Sequence, residues 1–314
     1  RRRAPAAAAA VAACVAAAVV AAAVAVGGAE RARAVCHNCH ELGEWCKFGK
    51  AIDMTGIRIN REWIDTQYQV PLQRNMTIEA WVWAAEPEAK EWTPIMSRTS
   101  GFWQYDTHVP NAYTDFNFQV DDNGLLSFFM GNGCADQWQY GILLLSPEPI
   151  PTRQWVHVAA VVNTNDGDTN PHDASIYING ELADFDCWGD CDRQWLPYEQ
   201  YNLRVGMYDN TDCDKQWWNG YLDEVRVWDH VRTPEQLTDH MFVRLYDGEP
   251  KDGLLLYYTF DDPKHPNNAT EIIDYTTPRY DGLVQFDGPN GPVYYVDSRI
   301  CTDDFLKPTP RFID

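Results

Sequence analysis

Positive charge is what this sequence has least of. Its 25 Lys and Arg stand against 46 Asp and Glu, a formal net charge of −21 over 314 residues. A nucleic-acid-binding chain needs a basic face to neutralise phosphates, and an anionic membrane surface asks for the same, so neither is expected as a partner. Five arginines and one glutamate lie within residues 1–34; without that segment 20 basic residues face 45 acidic ones, a balance of −25. Such a surface suits divalent cations and neutral or cationic ligands. Catalytic signatures are equally scarce. No Gly-x-Ser-x-Gly nucleophile turn occurs, and the eight histidines are scattered without a metalloprotease pattern. Helical periodicity is confined to one short segment.

Long apolar runs are absent apart from the start. Arg1-Arg2-Arg3 precedes an almost unbroken Ala/Val stretch over residues 4–29. This reads as a secretory signal, with small residues at Gly27/Ala29 or Ala32/Ala34 for cleavage, or as an uncleaved membrane anchor through residues 4–29. Either reading exports the remainder of the chain, to the outside or to the extracellular face of a membrane. The first residue is Arg, not Met, so a piece of a longer protein with further domains upstream is expected. Eight cysteines lie beyond the apolar run, at 36, 39, 46, 134, 187, 191, 213 and 301. An even number in an exported chain implies disulfides, whose pairing the sequence cannot choose. Asn75-Met-Thr and Asn268-Ala-Thr are glycosylation acceptors in a eukaryotic source.

After a Cys/His-rich lead-in over residues 35–50 come short runs rich in β-branched and aromatic residues. They lie at 51–60, 76–84, 94–98, 115–120, 125–130, 140–145, 155–162, 174–179, 201–207, 221–228 and 254–260. Asp122-Asn123-Gly124, Asn179-Gly180 and Asn219-Gly220 supply turns through residues that accept positive φ. Thr233-Pro234-Glu235-Gln236 starts the one helix, with a capping residue, proline at the first helical position and Leu237, Met241, Val243 and Leu245 following at roughly helical spacing. The pattern is an all-β, antiparallel sandwich with one short C-terminal helix.

The run from Trp217 to Trp228 concentrates the chemistry. Asp223 and Glu224 interrupt an otherwise half-buried strand, and adjacent strand positions point to opposite faces. At least one carboxylate then meets packed protein, where a charge needs a cation, a metal or hydrogen-bond donors. Arg204 and Arg226 are the candidate partners for Glu224.

Five segments in order resemble one family: Met76-Thr-Ile-Glu-Ala-Trp-Val, Trp155-Val-His-Val-Ala-Ala-Val-Val, Ile176-Tyr-Ile-Asn-Gly, Asn202-Leu-Arg-Val-Gly and Asn219-Gly-Tyr-Leu-Asp-Glu-Val-Arg-Val-Trp. Their order and spacing are similar to the laminin-G-like, concanavalin A-like jelly-roll domain. The resemblance covers about residues 48–262 and implies two antiparallel sheets packed face to face, closed by the strand near Tyr221. The expected division is therefore a signal or anchor at 1–34, a lead-in at 35–50, the jelly roll at 51–262 and an extension at 263–314. In that extension, Tyr280-Asp-Gly-Leu-Val resembles the start of a truncated repeat that packs back on the domain.

By the same resemblance Asp223 is a structural calcium ligand on the convex side, with backbone carbonyls around Asp53 to Gly56 as partners, while Glu224 faces the interior or Arg204. Asp209, Asp212 and Asp214 form the densest group in an acidic stretch with cysteines, the oxygen-rich setting Ca²⁺ takes; a solvated acidic loop explains the same composition. Cys36-His-Asn-Cys-His40 matches a haem-attachment pattern and also offers zinc ligands with Cys46, but disulfides fit an exported chain better. Related glycosidases carry paired carboxylates on one strand; Glu86-Pro-Glu-Ala-Lys-Glu91 has that letter spacing, yet its proline and loop composition argue against it. The chain reads as non-catalytic. Trp188, Trp195, Trp217 and Trp218, beside acids and amides, suit stacking on a sugar ring, or else fill the core. The expectation is an extracellular module that binds carbohydrate or glycoprotein and carries a structural calcium ion. The alternatives are an adhesive matrix or cell-surface component and, third, a glycosidase relative.

Overall fold

The computed structural model describes residues 50–55, 61–69, 75–85, 92–98, 115–131, 141–163, 174–183, 202–208, 215–245, 251–261, 271–286 and 294–297. Two eight-stranded antiparallel sheets face each other. The first contains β1 (Lys50–Asp53), β3 (Asn75–Ala84), β8 (Trp155–Asn163), β9 (Ala174–Ile178), β10 (Glu181–Ala183), β14 (Gly220–Trp228), β15 (Leu254–Tyr258) and β18 (Tyr294–Asp297). The second contains β2 (Glu62–Asp65), β4 (Thr93–Arg98), β5 (Asp115–Val120), β6 (Leu125–Gly131), β7 (Gly141–Pro149), β11 (Arg204–Val205), β16 (Glu271–Ile272) and β17 (Gly282–Phe286). A two-stranded ribbon, β12 (Met207–Tyr208) and β13 (Gln216–Trp217), links β11 to β14.

Strand alternation builds the core between the sheets. Ile78, Ala80 and Val82 of β3, Val156, Val158 and Ala160 of β8, and Leu222, Val225 and Val227 of β14 meet Ile64, Phe116, Phe118, Phe128 and Leu144 of the second sheet. These side chains are essentially inaccessible to water, the arrangement that supplies most of the driving force for such a sandwich. Closure comes through β14, which pairs with β3 along one side. Along the other it pairs first with β1 (Ile52↔Leu222) and then with β15 (Val225↔Tyr258).

The helix α1 (Pro234–His240) forms as its sequence dictates. Thr233 and Gln236 make a reciprocal capping box and Pro234 opens the helix. Leu237 packs on Ala159, Val161 and Tyr177, and Met241 on Trp81, so the helix and the following residues 241–245 lie over the outer face of the first sheet. The central strands are therefore buried on both faces, which explains their near-continuous burial.

Several details depart from the sequence pattern. The run at 51–60 yields only β1, and a separate strand, β2, comes after it at 62–65. The 201–207 run breaks at Gly206, whose φ of +80° turns the chain out of β11 into the ribbon while its amide donates to Ile95 O. Asn179-Gly180 makes the expected turn, both residues at positive φ, whereas Asn219-Gly220 leads straight into β14. Strands β16 and β17 extend the second sheet and β18 extends the first, so residues of the C-terminal extension add to both layers. All nine cysteines, residues 4–29 and Asn268 lie outside the described residues. Among the described residues no helix is long and apolar enough to cross a membrane.

Candidate functional site

The two carboxylates of the closing strand do not diverge. Asp223 pairs with Trp81 and Arg226 with Glu79, so two residues, Glu224 and Val225, face Ala80 alone. This is a β-bulge, with Glu224 at φ +50°. The extra residue keeps Val225 and Val227 in the core while Glu224 joins Arg226 on the outer face. The expectation that Glu224 looks to the interior or to Arg204 is thereby corrected: Arg204 sits in the other sheet, and Arg226 is the partner.

Arg226 and Glu224 are each about 1% exposed and form a buried ion pair of 2.5 Å. Glu224 also accepts from the Tyr257 hydroxyl at 2.6 Å, while Arg226 donates to His240 O at 3.0 Å and Val243 O at 2.7 Å. Glu79, fully buried, accepts from Trp228 Nε1 at 2.8 Å and lies 3.7 Å from both Arg226 and Arg232 and 3.4 Å from His157 Nε2. Desolvation alone would raise the Glu79 carboxyl; the His157 hydrogen bond and the two guanidiniums outweigh it and hold it well below the usual range. Desolvation pushes His157 down, and its Nδ1 meets no hydrogen-bonding partner among the described residues, as suits a neutral ring. Burial opposes the charge on Arg226, but Glu224, then Tyr257 and Glu79, keep it firmly protonated. Two acids and two arginines balance. This cluster ties α1 and residues 240–245 to the sheet; it offers no open carboxylate pair for acid–base chemistry.

Asp223 is fully buried and its Oδ1 accepts from the Glu224 amide at 2.8 Å. Asp53 pairs with Tyr221 in β1 and so stands on the same outer face, one diagonal step away. Its Oδ1 caps its own turn, taking the amide and the hydroxyl of Thr55 at 2.9 and 2.7 Å. These two carboxylates fall short of the ~6–8 oxygens calcium takes. Among the described residues no group of three or more potential ligands forms. Asp209, Asp212 and Asp214 lie outside the described residues.

The second sheet presents a different outer face. Cross-strand register aligns Asp65, Arg204, Ser97, Asn117, Phe129 and Leu143 in one row, with Gln119, Ser127 and Leu145 in a parallel row. All point away from the core, because their neighbours Ile64, Val205, Phe116, Phe118, Leu126, Phe128 and Leu144 fill it. Ser97, Asn117, Gln119 and Ser127 are each at most 4% exposed. Asn117 Nδ2 donates to Gln119 Oε1, and Ser97 Oγ to Met207 O, which roots the ribbon against this face. Asn117 Oδ1 and Ser127 Oγ have no hydrogen-bond partner among the described residues. Buried polar atoms left this way cost about 1–3 kcal/mol each.

Of the expected aromatic residues, Trp218 belongs to the core and is fully buried, so its ring offers no face to a ligand. Trp217 is 8% exposed at the rim, with the Arg61 guanidinium 4.6 Å above its ring. Trp188 and Trp195 lie outside the described residues. Ser97, Asn117, Gln119 and Ser127 escaped sequence reasoning. In the sequence they are the polar positions of alternating strands, the same signal a solvated face gives.

The family model described as the concanavalin A-like lectin/glucanases superfamily matches residues 62–238, more than half of the chain. The chain belongs to that superfamily. Among solved structures, this concanavalin A-like domain is similar to a candidate carbohydrate-binding protein from Bacteroides ovatus, with a TM-score of 0.53 and 22% identity over 81% of this chain and 61% of the other. The chain thus spans about three fifths of that relative's length. A heptameric SAP-like pentraxin from Limulus polyphemus (TM-score 0.40, 15% identity, 82% of this chain and 92% of that one) is less similar. So is the CBM40 of the Ruminococcus gnavus IT-sialidase bound to α2,3-sialyllactose (0.44, 13%, 61% and 97%). At such identities these likenesses show the fold alone. No curated protein matches the sequence.

Proposed function

We propose that the protein is a non-catalytic, exported carbohydrate-binding module that receives a glycan on the outer face of its second sheet. One observation carries this: two hydrogen-bonding atoms there, Asn117 Oδ1 and Ser127 Oγ, are buried without a partner among the described residues, in a row of amides and hydroxyls. A glycan supplies hydroxyl donors at that density, and Phe129 and Leu143 continue the row with apolar surface. Membership of a lectin/glucanase superfamily and the name borne by the Bacteroides ovatus neighbour support the same chemistry. The cysteine content supports export. A structural calcium ion belongs to the proposal, held by Asp223 and Asp53 with Asp209, Asp212 and Asp214, where it would neutralise clustered carboxylates and fasten the two ends of the sandwich.

The test is glycan-array binding of the full chain, followed by calorimetry with the strongest binder. Ser127→Ala should weaken binding at least tenfold and leave the free protein no less stable, since Ser127 Oγ has no bond to lose among the described residues; Asn117→Ala should weaken binding as much but cost about 1 kcal/mol of stability through the lost bond to Gln119. Array silence, together with self-association or capture of a matrix protein, would instead favour an adhesive role. Release of reducing sugar from bound glycan would overturn the non-catalytic assignment.

A further inference from the structure

Among the described residues, Arg61 is the one exposed arginine placed over a rim tryptophan. It precedes β2 at φ +49°, a left-handed conformation uncommon for a long side chain, and its guanidinium stands 4.6 Å from the Trp217 ring centroid. In a chain with 46 acidic residues, Arg61 makes no ion pair among the described residues and lies against this ring instead. Trp217 sits in the ribbon opposite Met207, whose carbonyl bonds Ser97 of the polar row, so the ring borders the face described above. Its Nε1 is buried and has no hydrogen-bond partner among the described residues, an unmet donor beside that face.

We propose that Arg61 is a built-in occupant of the Trp217 ring face, which a neutral sugar must displace before it can stack there. The inference rests on the carbohydrate-binding reading and deepens it. A guanidinium over an indole and the C–H face of a pyranose use the same π surface, so the two states exclude one another. The cation selects against weakly stacking ligands by the strength of one exposed cation–π contact. That strength corresponds to about a two- to fivefold change in affinity. A neutral ligand is implied because the displaced cation returns to a strongly acidic surface, which repels anionic sugars.

Two measurements on the full chain test this. Oxidative footprinting with peptide mass spectrometry needs no ligand: Arg61→Ala should raise labelling of Trp217 about two- to fivefold, with Arg61→Lys intermediate. Binding is then measured with neutral gluco-, galacto- and manno-configured hexasaccharides. Arg61→Ala should tighten the best of these about two- to fivefold, and the gain should vanish in Trp217→Ala. Unchanged labelling, or binding that stays equal or weakens in Arg61→Ala, overturns the proposal. Silence of wild type and variant alike toward every glycan, acidic ones included, overturns the carbohydrate reading itself. Binding confined to anionic glycans leaves that reading intact and overturns this inference.

Discussion

Removing the Arg226 guanidinium by Arg226→Met tests how the closing strand is held. The side chain is about 1% exposed, pairs with Glu224, and donates to the main-chain carbonyls of His240 and Val243. Methionine fills similar volume but leaves the Glu224 carboxylate buried with the Tyr257 hydroxyl in place of a countercharge. Breaking a buried pair from one side costs about 3–5 kcal/mol, since the stranded charge keeps its desolvation penalty. That is a large share of the ~5–15 kcal/mol by which domains are stable. Adding Glu224→Gln removes the stranded charge and should return about 2 kcal/mol of the loss, the orphaned carbonyls accounting for the rest. Urea unfolding at neutral pH, followed by tryptophan fluorescence, measures both steps, and hydrogen exchange should show the amides of residues 237–245 losing protection first. A single-variant cost below about 1 kcal/mol, or a double variant no better than the sum of the singles, would refute the account of the cluster as a charge-balanced fastening.

Acid should loosen the same cluster in two stages. The folded pKa values of His157 and Glu79 are both depressed below their ordinary 6.5 and 4.5. Each contributes stability that is present above the unfolded value and lost as pH falls through it toward the folded one. Unfolding free energy should therefore decline below about pH 6.5 and more steeply below about pH 4.5, and Glu79→Gln should be weaker at pH 7 but flatter between pH 5 and 3. Gly206→Ala should cost at least ~1–2 kcal/mol, because φ is +80° and the added Cβ would lie 2.6 Å from Met54 Sδ; an unaffected melting temperature contradicts the turn's role. For calcium, a thermal melt with and without chelator should differ in wild type and not in Asp223→Asn. Identical chelator responses in the two proteins sink that assignment.

The fold was legible because its strands are marked by composition. Met76 to Ala84 and Trp155 to Val162 are runs rich in β-branched and aromatic residues, and Thr233 to Gln236 announces a capped helix, each a local signal that tertiary structure had only to accept. The bulge at Glu224 was not legible. Period-two reasoning assigns Asp223 and Glu224 to opposite faces, and nothing in Leu222-Asp-Glu-Val-Arg-Val marks the inserted residue; it arises because Arg226 and Tyr257 draw the carboxylate outward. The short strands β16 to β18 were missed for a related reason. Two to five residues carry too little periodicity; β18 and β17 are defined by pairing with β1 and β2, more than 200 residues earlier, and β16 by pairing with β17. Trp217 and Trp218 are adjacent and alike in sequence, but the ribbon turns one to the rim and the other into the core.

Both sheets bury polar groups on their outer faces, but only the first carries a helix over them among the described residues, and this contrast argues for where a ligand goes. On the outer face of the first sheet, carboxylates, guanidiniums, an indole and the carbonyls of His240 and Val243 bond one another beneath α1, with Glu224 Oε1 and the Nε atoms of Arg226 and Arg232 left without a hydrogen bond among the described residues. That face is closed by packing as well as by charge, so a ligand there would have to unseat Leu237 and Met241 from Val161 and Trp81. On the second sheet no helix among the described residues covers the outer face, and its amides and hydroxyls bond one another incompletely, with acceptor positions left at Asn117 and Ser127. An uncompensated polar atom lowers stability without return in the free protein, whereas apolar residues at those positions would cost nothing in the core beneath. The sequence nevertheless places Asn, Gln and Ser there. Unpaired polar atoms occur beneath α1 as well, so it is their coincidence with a face that no described helix covers that directs the search for a glycan to the second sheet and the rim marked by Trp217.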